Sequence, residues 1–217
     1  MIVEHLGLVD YAEAYEKMTA FTANRQKGDE DRLWLLQHPP IFTLGKSGKI
    51  EHLLNPNSGI PLARTDRGGQ ITYHGPGQLV AYCLIDVARL GGTTHRFVTE
   101  TAGAVQDVLA ARGVQGDYDD DRPGVYVNGK KICSLGFRIR RGCSYHGLAL
   151  NVDNDLAPFD NIDPCGYAGL RMTRLKDLID PCPTVDETGD ELARFLAQRL
   201  SAWQAESETR ANDRNGN

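Results

Sequence analysis

The dipeptide Asn128-Gly129 lies between Val125 to Val127 and Lys131 to Arg140 and commits this part of the chain to an antiparallel β-hairpin. Asn followed by Gly supplies the two positive φ angles of a type I′ turn, whose twist matches that of the strands it joins. Side chains alternate along a strand, so the second strand puts Lys131, Cys133, Leu135, Phe137 and Ile139 on one face and Ser134, Arg138 and Arg140 on the other. Lys131 is thereby predicted to share the apolar face.

Strand and helix patterns alternate around this hairpin. Ile2 to Leu8 reads as a strand, and Tyr11 to Arg25 as a helix with Tyr11, Ala14, Tyr15, Met18 and Phe21 or Thr22 on one stripe. Arg32 to Leu36 and Ile41 to Leu44 are short strands separated by Pro39-Pro40. Leu62 to Arg67 and Gln70 to Tyr73 suggest a second hairpin, closed by Gly68 and Gly69. Gln78 to Asp86 has the composition of a buried central strand. A helix is predicted from a Thr93 or Thr94 cap to about Arg112, with Gly113 as its stop. After a return strand through Tyr145 to Val152, an irregular acidic segment leads to Asp163-Pro164-Cys165-Gly166, and a final helix spans about Asp186 to Trp203. Hairpins outnumber clean βαβ crossovers. The expected fold is therefore α/β of the α+β kind, a single domain with a mixed, largely antiparallel sheet flanked by helices. It should occupy 1–204, with the polar, aperiodic 205–217 as a disordered tail.

Charge and composition remove several function classes. A net charge of -5 with no block of Lys or Arg argues against nucleic-acid or anionic-membrane binding. The longest apolar run, Leu79 to Ile85, is far shorter than the roughly 18 residues of a membrane helix. Met1 to Asp10 lacks the pattern of a secretory signal. Five cysteines, at 83, 133, 143, 165 and 182, contain no CxxC pair and suit neither a disulfide framework nor a zinc finger. Reduced thiols in the cytoplasm are the expectation.

Familiar phosphate and metal motifs fail on spacing. Gly45-Lys46-Ser47 resembles the end of a P-loop, but the required earlier glycine falls at Pro40. Gly75-Pro76-Gly77 lacks the third glycine of a dinucleotide site, and Pro76 removes an amide donor. The histidines form no HExxH pair, and Asp119-Asp120-Asp121 lacks the rest of a calcium loop.

Four motifs remain, in order: Arg67-Gly-Gly-Gln-Ile-Thr-Tyr-His74 followed by Gly75-Pro76-Gly77; Lys131-Ile-Cys-Ser-Leu-Gly136; His146-Gly-Leu-Ala-Leu-Asn151; and Pro164-Cys165-Gly166. In this combination the sequence closely resembles the lipoyl(octanoyl) transferase family, over about residues 30 to 180. The resemblance implies the fold of biotin and lipoate ligase catalytic modules. It implies transfer of an octanoyl chain from octanoyl-acyl carrier protein to a lysine of a lipoyl domain, through an acyl-cysteine. The implied acceptors are the lipoyl domains of 2-oxoacid dehydrogenase E2 subunits and the glycine-cleavage H protein, with no nucleic acid or membrane as partner.

The resemblance also implies that Cys165 is the nucleophile and that Lys131 lowers its pKa and relays protons. Substrate contacts would come from Arg67, Gly68, Gly69, Gln70, Ile71, Thr72, Tyr73 and His74, from Ser134, Leu135 and Gly136, and from Gly147, Leu148 and Ala149. A thiol is only a few per cent thiolate at neutral pH, so a nearby ammonium is what this chemistry needs. Amides near Gly136 or Gly147 could hold the thioester oxyanion. Thioester exchange and aminolysis require neither cofactor nor metal, and none is expected. Residue type alone leaves alternatives open: Cys165 as a structural loop thiol, Lys131 as a snorkelling strand-end lysine, His74 and His146 as satisfied core histidines. Arg138, Arg140, Arg141, Arg171, Arg174 and Lys176 fit either a solvated face or a dock for an acidic carrier. Other functions to weigh are an ATP-dependent lipoate or octanoate ligase, a Cys-His thioesterase, and a non-catalytic lipoyl-domain interaction module.

Overall fold

The structure, a computed structural model, describes residues 1–164 and 169–215. Its elements in chain order are β1 (Ile2–Leu8), α1 (Tyr11–Asn24), β2 (Arg32–Gln37), β3 (Ile41–Leu44), β4 (Leu62–Arg64), β5 (Ile71–His74), β6 (Gln78–Leu84), α2 (Thr94–Ala110), β7 (Asp117–Asp119), β8 (Gly124–Val127), β9 (Lys130–Arg140), β10 (Cys143–Asn151) and α3 (Val185–Asn215). Seven strands form one sheet in the order β1-β2-β6-β10-β9-β8-β7, and β4-β3-β5 form a small second one. Among the strands of the described residues only β1 with β2 and β3 with β4 pair in parallel, so the sheets are mixed and largely antiparallel, as the pattern predicts.

Local chemistry starts and stops these elements. The Asp10 carboxylate accepts from the Ala12 and Glu13 amides at the head of α1, and the Thr93 hydroxyl accepts from the Arg96 amide at the head of α2. Asn128 and Gly129 take φ of 50° and 74°, the turn their identities foretell. One face of the large sheet, with Leu33, Leu79, Ala81, Cys133 and Leu150, packs against Val105 and Leu109 of α2 and Leu192 and Leu196 of α3. Ala14 and Met18 of α1 cover Leu36, Val80, Tyr82 and Ala149 on the other. Among the described residues no helix is long and apolar enough to cross a membrane.

Two of the expected elements are corrected by the structure. Leu62 to Arg67 and Gln70 to Tyr73 do not form a hairpin: β3 lies between β4 and β5, and the 65–70 link crosses over it. The final helix also does not stop near Trp203. It runs on to Asn215, and just past Trp203 the Ser207 hydroxyl donates to the Leu90 carbonyl at 2.8 Å and Glu206 pairs with Arg96 at 2.7 Å. Polar contacts follow where apolar periodicity has ended.

A buried ionic node ties the end of α1 to the sheet. Asp31 accepts from Arg25 at 2.5 Å and from the Asp86 amide at 2.8 Å, and its second oxygen meets Arg89. The Arg25 side chain is 4% exposed. Asp31→Ala would leave that guanidinium buried without its carboxylate, held only by the Leu84 and Asp29 carbonyls, so a loss of about 3–5 kcal/mol is expected, read as a lower urea midpoint.

Candidate active site

A cavity of about 420 Å³ opens between the glycine-rich 67–74 segment and the β9–β10 pair. Arg67, Gly68, Gly69, Gln70, Ile71, Thr72 and His74 line it, as do Lys131, Ser134, Leu135, Gly136, Gly147, Leu148 and Ala149. Tyr73 is the member of the expected set that turns away. Alternation along β5 points it into the small core, its ring 5.8 Å from Phe42 and 5.4 Å from Phe159. Val80 and Tyr82 of β6, Val98 of α2 and Phe137 of β9 also line the cavity, making much of its wall apolar.

Glycines let the walls close on one another. A Cβ on Gly147 would fall 1.8 Å from the Ala81 carbonyl oxygen, and one on Gly136 3.0 Å from that of Gly68. The Gly68 amide donates to the Phe137 carbonyl at 2.9 Å, docking the glycine-rich segment on β9. Gly136 and Gly147 stand opposite each other in the β9–β10 ladder. The rejected P-loop sequence has a structural part here: the Lys46 amide donates to Arg67 O and the Ser47 hydroxyl to Gly69 O.

Lys131 is completely buried, but not on the face that simple alternation assigns. Ile132 has no partner in β8: the register passes from Cys133 opposite Val125 to Lys131 opposite Tyr126. This bulge inverts the period, so Lys131 lies on the Ser134 side, away from Cys133 and Leu135. Its ammonium is 5.4 Å from the Tyr126 ring centroid and passes over Gly124, where an added Cβ would come within 2.2 Å of Lys131 Cε. Cys165 lies outside the described residues. Of the chain flanking it, the Asp163 amide donates to His52 O at 2.8 Å, and on the far side residues 171–173 run beside Lys131.

Arg67 reaches the cavity wall and also grips the scaffold. Its Nη2 donates to Thr43 O and Gln70 O at 2.7 Å each and to Thr43 Oγ1 at 2.9 Å, and its Nη1 to Gly68 O at 2.9 Å. His74 is held neutral by burial, its pKa lowered to about 3. Burial likewise pushes the Cys83 and Cys133 thiols up to about 12 and raises those of Cys143 and Cys182.

Sequence reasoning missed a polar group around His146. The His146 backbone is left-handed, at φ 59°, a conformation costly outside glycine. Its Nε2 donates to Asp66 at 2.9 Å, and the Tyr15 hydroxyl donates to the same carboxylate at 3.1 Å, as does that of Tyr145. The His146 hydrogen bond holds Asp66 well below the usual carboxylate range, while burial lowers the pKa of the imidazole against the opposing pull of Asp66. His38 was also missed: its Nδ1 donates to Val9 O and its Nε2 accepts from Tyr82, both at 2.7 Å. The position of Asp66 directly before Arg67 was the signal available in the sequence.

Comparison with known proteins agrees with this architecture. An octanoyltransferase of Azoarcus sp. is 56% identical over 200 residues, covering 92% of this chain and 88% of the relative. The crystal structure of lipoate-protein ligase A bound with ATP matches with TM-score 0.75 at 21% identity, over 92% of this chain and 85% of that one. Biotin protein ligase from Aquifex aeolicus, in complex with biotin and ATP, matches with TM-score 0.59 at 12% identity, over 95% and 73%. These last two are likenesses of fold alone. The sequence match to the lipoyl protein ligase A/B catalytic domain runs over residues 10–197, nearly the whole of the sheet and helices that build the cavity, and it is to this family that the chain belongs.

Proposed function

We propose that this protein is an acyltransferase that moves an octanoyl group from acyl carrier protein to the lysine of a lipoyl domain, through a thioester on Cys165. The observation that carries the reading is the convergence of the three described motifs on one partly apolar cavity with the buried Lys131 in its wall. Its volume falls within the range of small-molecule sites, about 300–1,000 Å³. At about 0.8 kcal/mol per buried methylene, the acyl tail contributes roughly 4–5 kcal/mol to binding.

In the first half-reaction the Cys165 thiolate attacks the donor carbonyl, and the tetrahedral oxyanion collapses to expel the carrier's thiolate, which takes a proton from Lys131. In the second, the neutral amine of the acceptor lysine attacks the acyl-cysteine, the Cys165 thiolate leaves, and the amine's proton returns to Lys131. Burial raises the thiol pKa values of Cys83, Cys133, Cys143 and Cys182 and so disfavours their thiolates, while the Pro164-Cys165-Gly166 motif is what points to Cys165. The same reading puts the reaction in the cytoplasm, with E2 lipoyl domains and glycine-cleavage H protein as acceptors.

Gly124 provides a test of Lys131's placement. In Gly124→Ala the methyl meets Lys131 Cε and the Cys133 carbonyl oxygen, at 2.2 and 2.7 Å before relaxation. Turnover should fall by about 100-fold, while overpacking costs about 1–3 kcal/mol, seen as a lowered but still cooperative melt.

The function itself is tested by mixing the protein with octanoyl-acyl carrier protein and an apo lipoyl domain, without ATP, and weighing the lipoyl domain. Gain of one octanoyl group, lost with Cys165→Ser, is the expected result. Modification only when ATP and free octanoate are supplied would establish a ligase instead.

A further inference from the structure

Behind the cavity wall a hydrogen-bond chain runs in one direction from Arg67 to Lys131. Gln78 fixes its polarity: its Nε2 lies 3.1 Å from the Tyr73 carbonyl oxygen, which can only accept. The Gln78 Oε1 therefore accepts from His74 Nδ1 at 2.8 Å, which leaves His74 Nε2 as an acceptor for the Thr43 hydroxyl at 3.2 Å. Thr43 Oγ1 in turn accepts from Arg67. In the other direction, Gln78 Nε2 donates to Asn151 Oδ1 at 2.9 Å, and Asn151 Nδ2 donates to the Thr173 carbonyl at 3.0 Å. The Thr173 amide donates to the Lys131 carbonyl at 2.9 Å, and the Lys131 amide to the Arg171 carbonyl at 2.9 Å. Every side chain in this chain is buried.

Apolar residues would join these strands without the desolvation cost of so many polar groups. A buried network of directional bonds, which Asn154 Nδ2 joins by donating to Asn151 Oδ1 at 3.2 Å, gives one defined geometry instead. Its two ends, Arg67 and Lys131, line the cavity; Gln78 and Asn151 do not. We propose that Gln78 and Asn151 are positioning residues, which hold the 171–173 segment, and through it Lys131, in register with the acyl-binding 67–74 segment. The proposal rests on the reading that Lys131 serves the transfer. The neutral state of His74 supports it, since a protonated ring could not accept from Thr43.

Asn151→Leu keeps the branching and Gln78→Met the approximate length of the side chain, and both remove the directional bonds. The test compares both with wild type and Lys131→Met, measuring kcat, the KM for octanoyl-acyl carrier protein, the pH–rate profile, and the rate of Cys165 alkylation by iodoacetamide. We expect kcat to fall by about 100-fold, with the donor KM unchanged, the profile displaced to higher pH, and alkylation slowed. Two separate variants, each with its own melting curve, keep the comparison available if one fails to fold. If both variants fold and keep the wild-type profile and alkylation rate while Lys131→Met loses them, the network is structural only and the proposal falls. If Lys131→Met also keeps them, the role of Lys131 falls and the proposal with it.

Discussion

Lys131→Met should leave a folded protein that acylates its cysteine at least 100-fold more slowly at neutral pH. Methionine nearly matches the lysine in length and needs no hydrogen bonds. Lys131 is fully buried, so its loss also removes contacts such as that with the Tyr126 ring, and a melting curve recorded beside the kinetics separates lost stability from lost chemistry. The kinetic loss has two sources. In the proposed reaction, losing the ammonium returns Cys165 toward an ordinary thiol pKa of about 8.5, leaving a few per cent thiolate at neutral pH. The proton shuttled between the two thiols and the amine also loses its carrier, which general acid–base catalysis values at about 10²–10⁴-fold. Rapid-quench acylation rates across pH would show the rate of the variant climbing through the thiol's ordinary range. An unchanged rate at neutral pH would exclude Lys131 from the chemistry.

Arg67→Met is expected to damage stability and binding together. The guanidinium serves Thr43 O and Oγ1, Gln70 O and Gly68 O, so its loss strands several part-buried acceptors at about 1–3 kcal/mol each. With partial relaxation, the loss should be roughly 3–5 kcal/mol, as for a broken buried polar network. Gly68 and Gly69 then lose the tether that sets them against Gly136, and the donor KM should rise. Arg67→Lys should recover little, since a point charge cannot span acceptors on both sides as a planar fork does. Urea unfolding and donor titration separate the two effects. A variant of wild-type stability and KM would show that the backbone alone holds this segment.

What the sequence made legible was local. Asn128-Gly129 names its own turn, and Thr93 caps α2, because both depend on residues a few positions apart. Insertion of β3 between β4 and β5 is a long-range pairing with no nearby signal, so two strands flanking a Gly-Gly pair read as a hairpin. The bulge at Ile132 leaves no mark in residue type, and so period two put Lys131 on the wrong face while correctly burying it. The site residues divide similarly. Glycine-rich segments announce close backbone approach, whereas Asp66 entered the site through His146, whose positive φ its identity does not advertise. Gln78 and Asn151 were visible in principle, as amides next to the apolar runs Leu79 to Leu84 and Leu148 to Leu150, where a buried amide calls for a partner.

The central claim is a covalent octanoyl group on Cys165, and intact mass tests it most directly. Wild type and Cys165→Ser are incubated with octanoyl-acyl carrier protein in the absence of ATP and weighed. The account predicts one octanoyl group on the wild type only, removed by hydroxylamine and discharged by adding an apo lipoyl domain. An adduct of equal size on Cys165→Ser, or no adduct while the lipoyl domain is still modified, would contradict it.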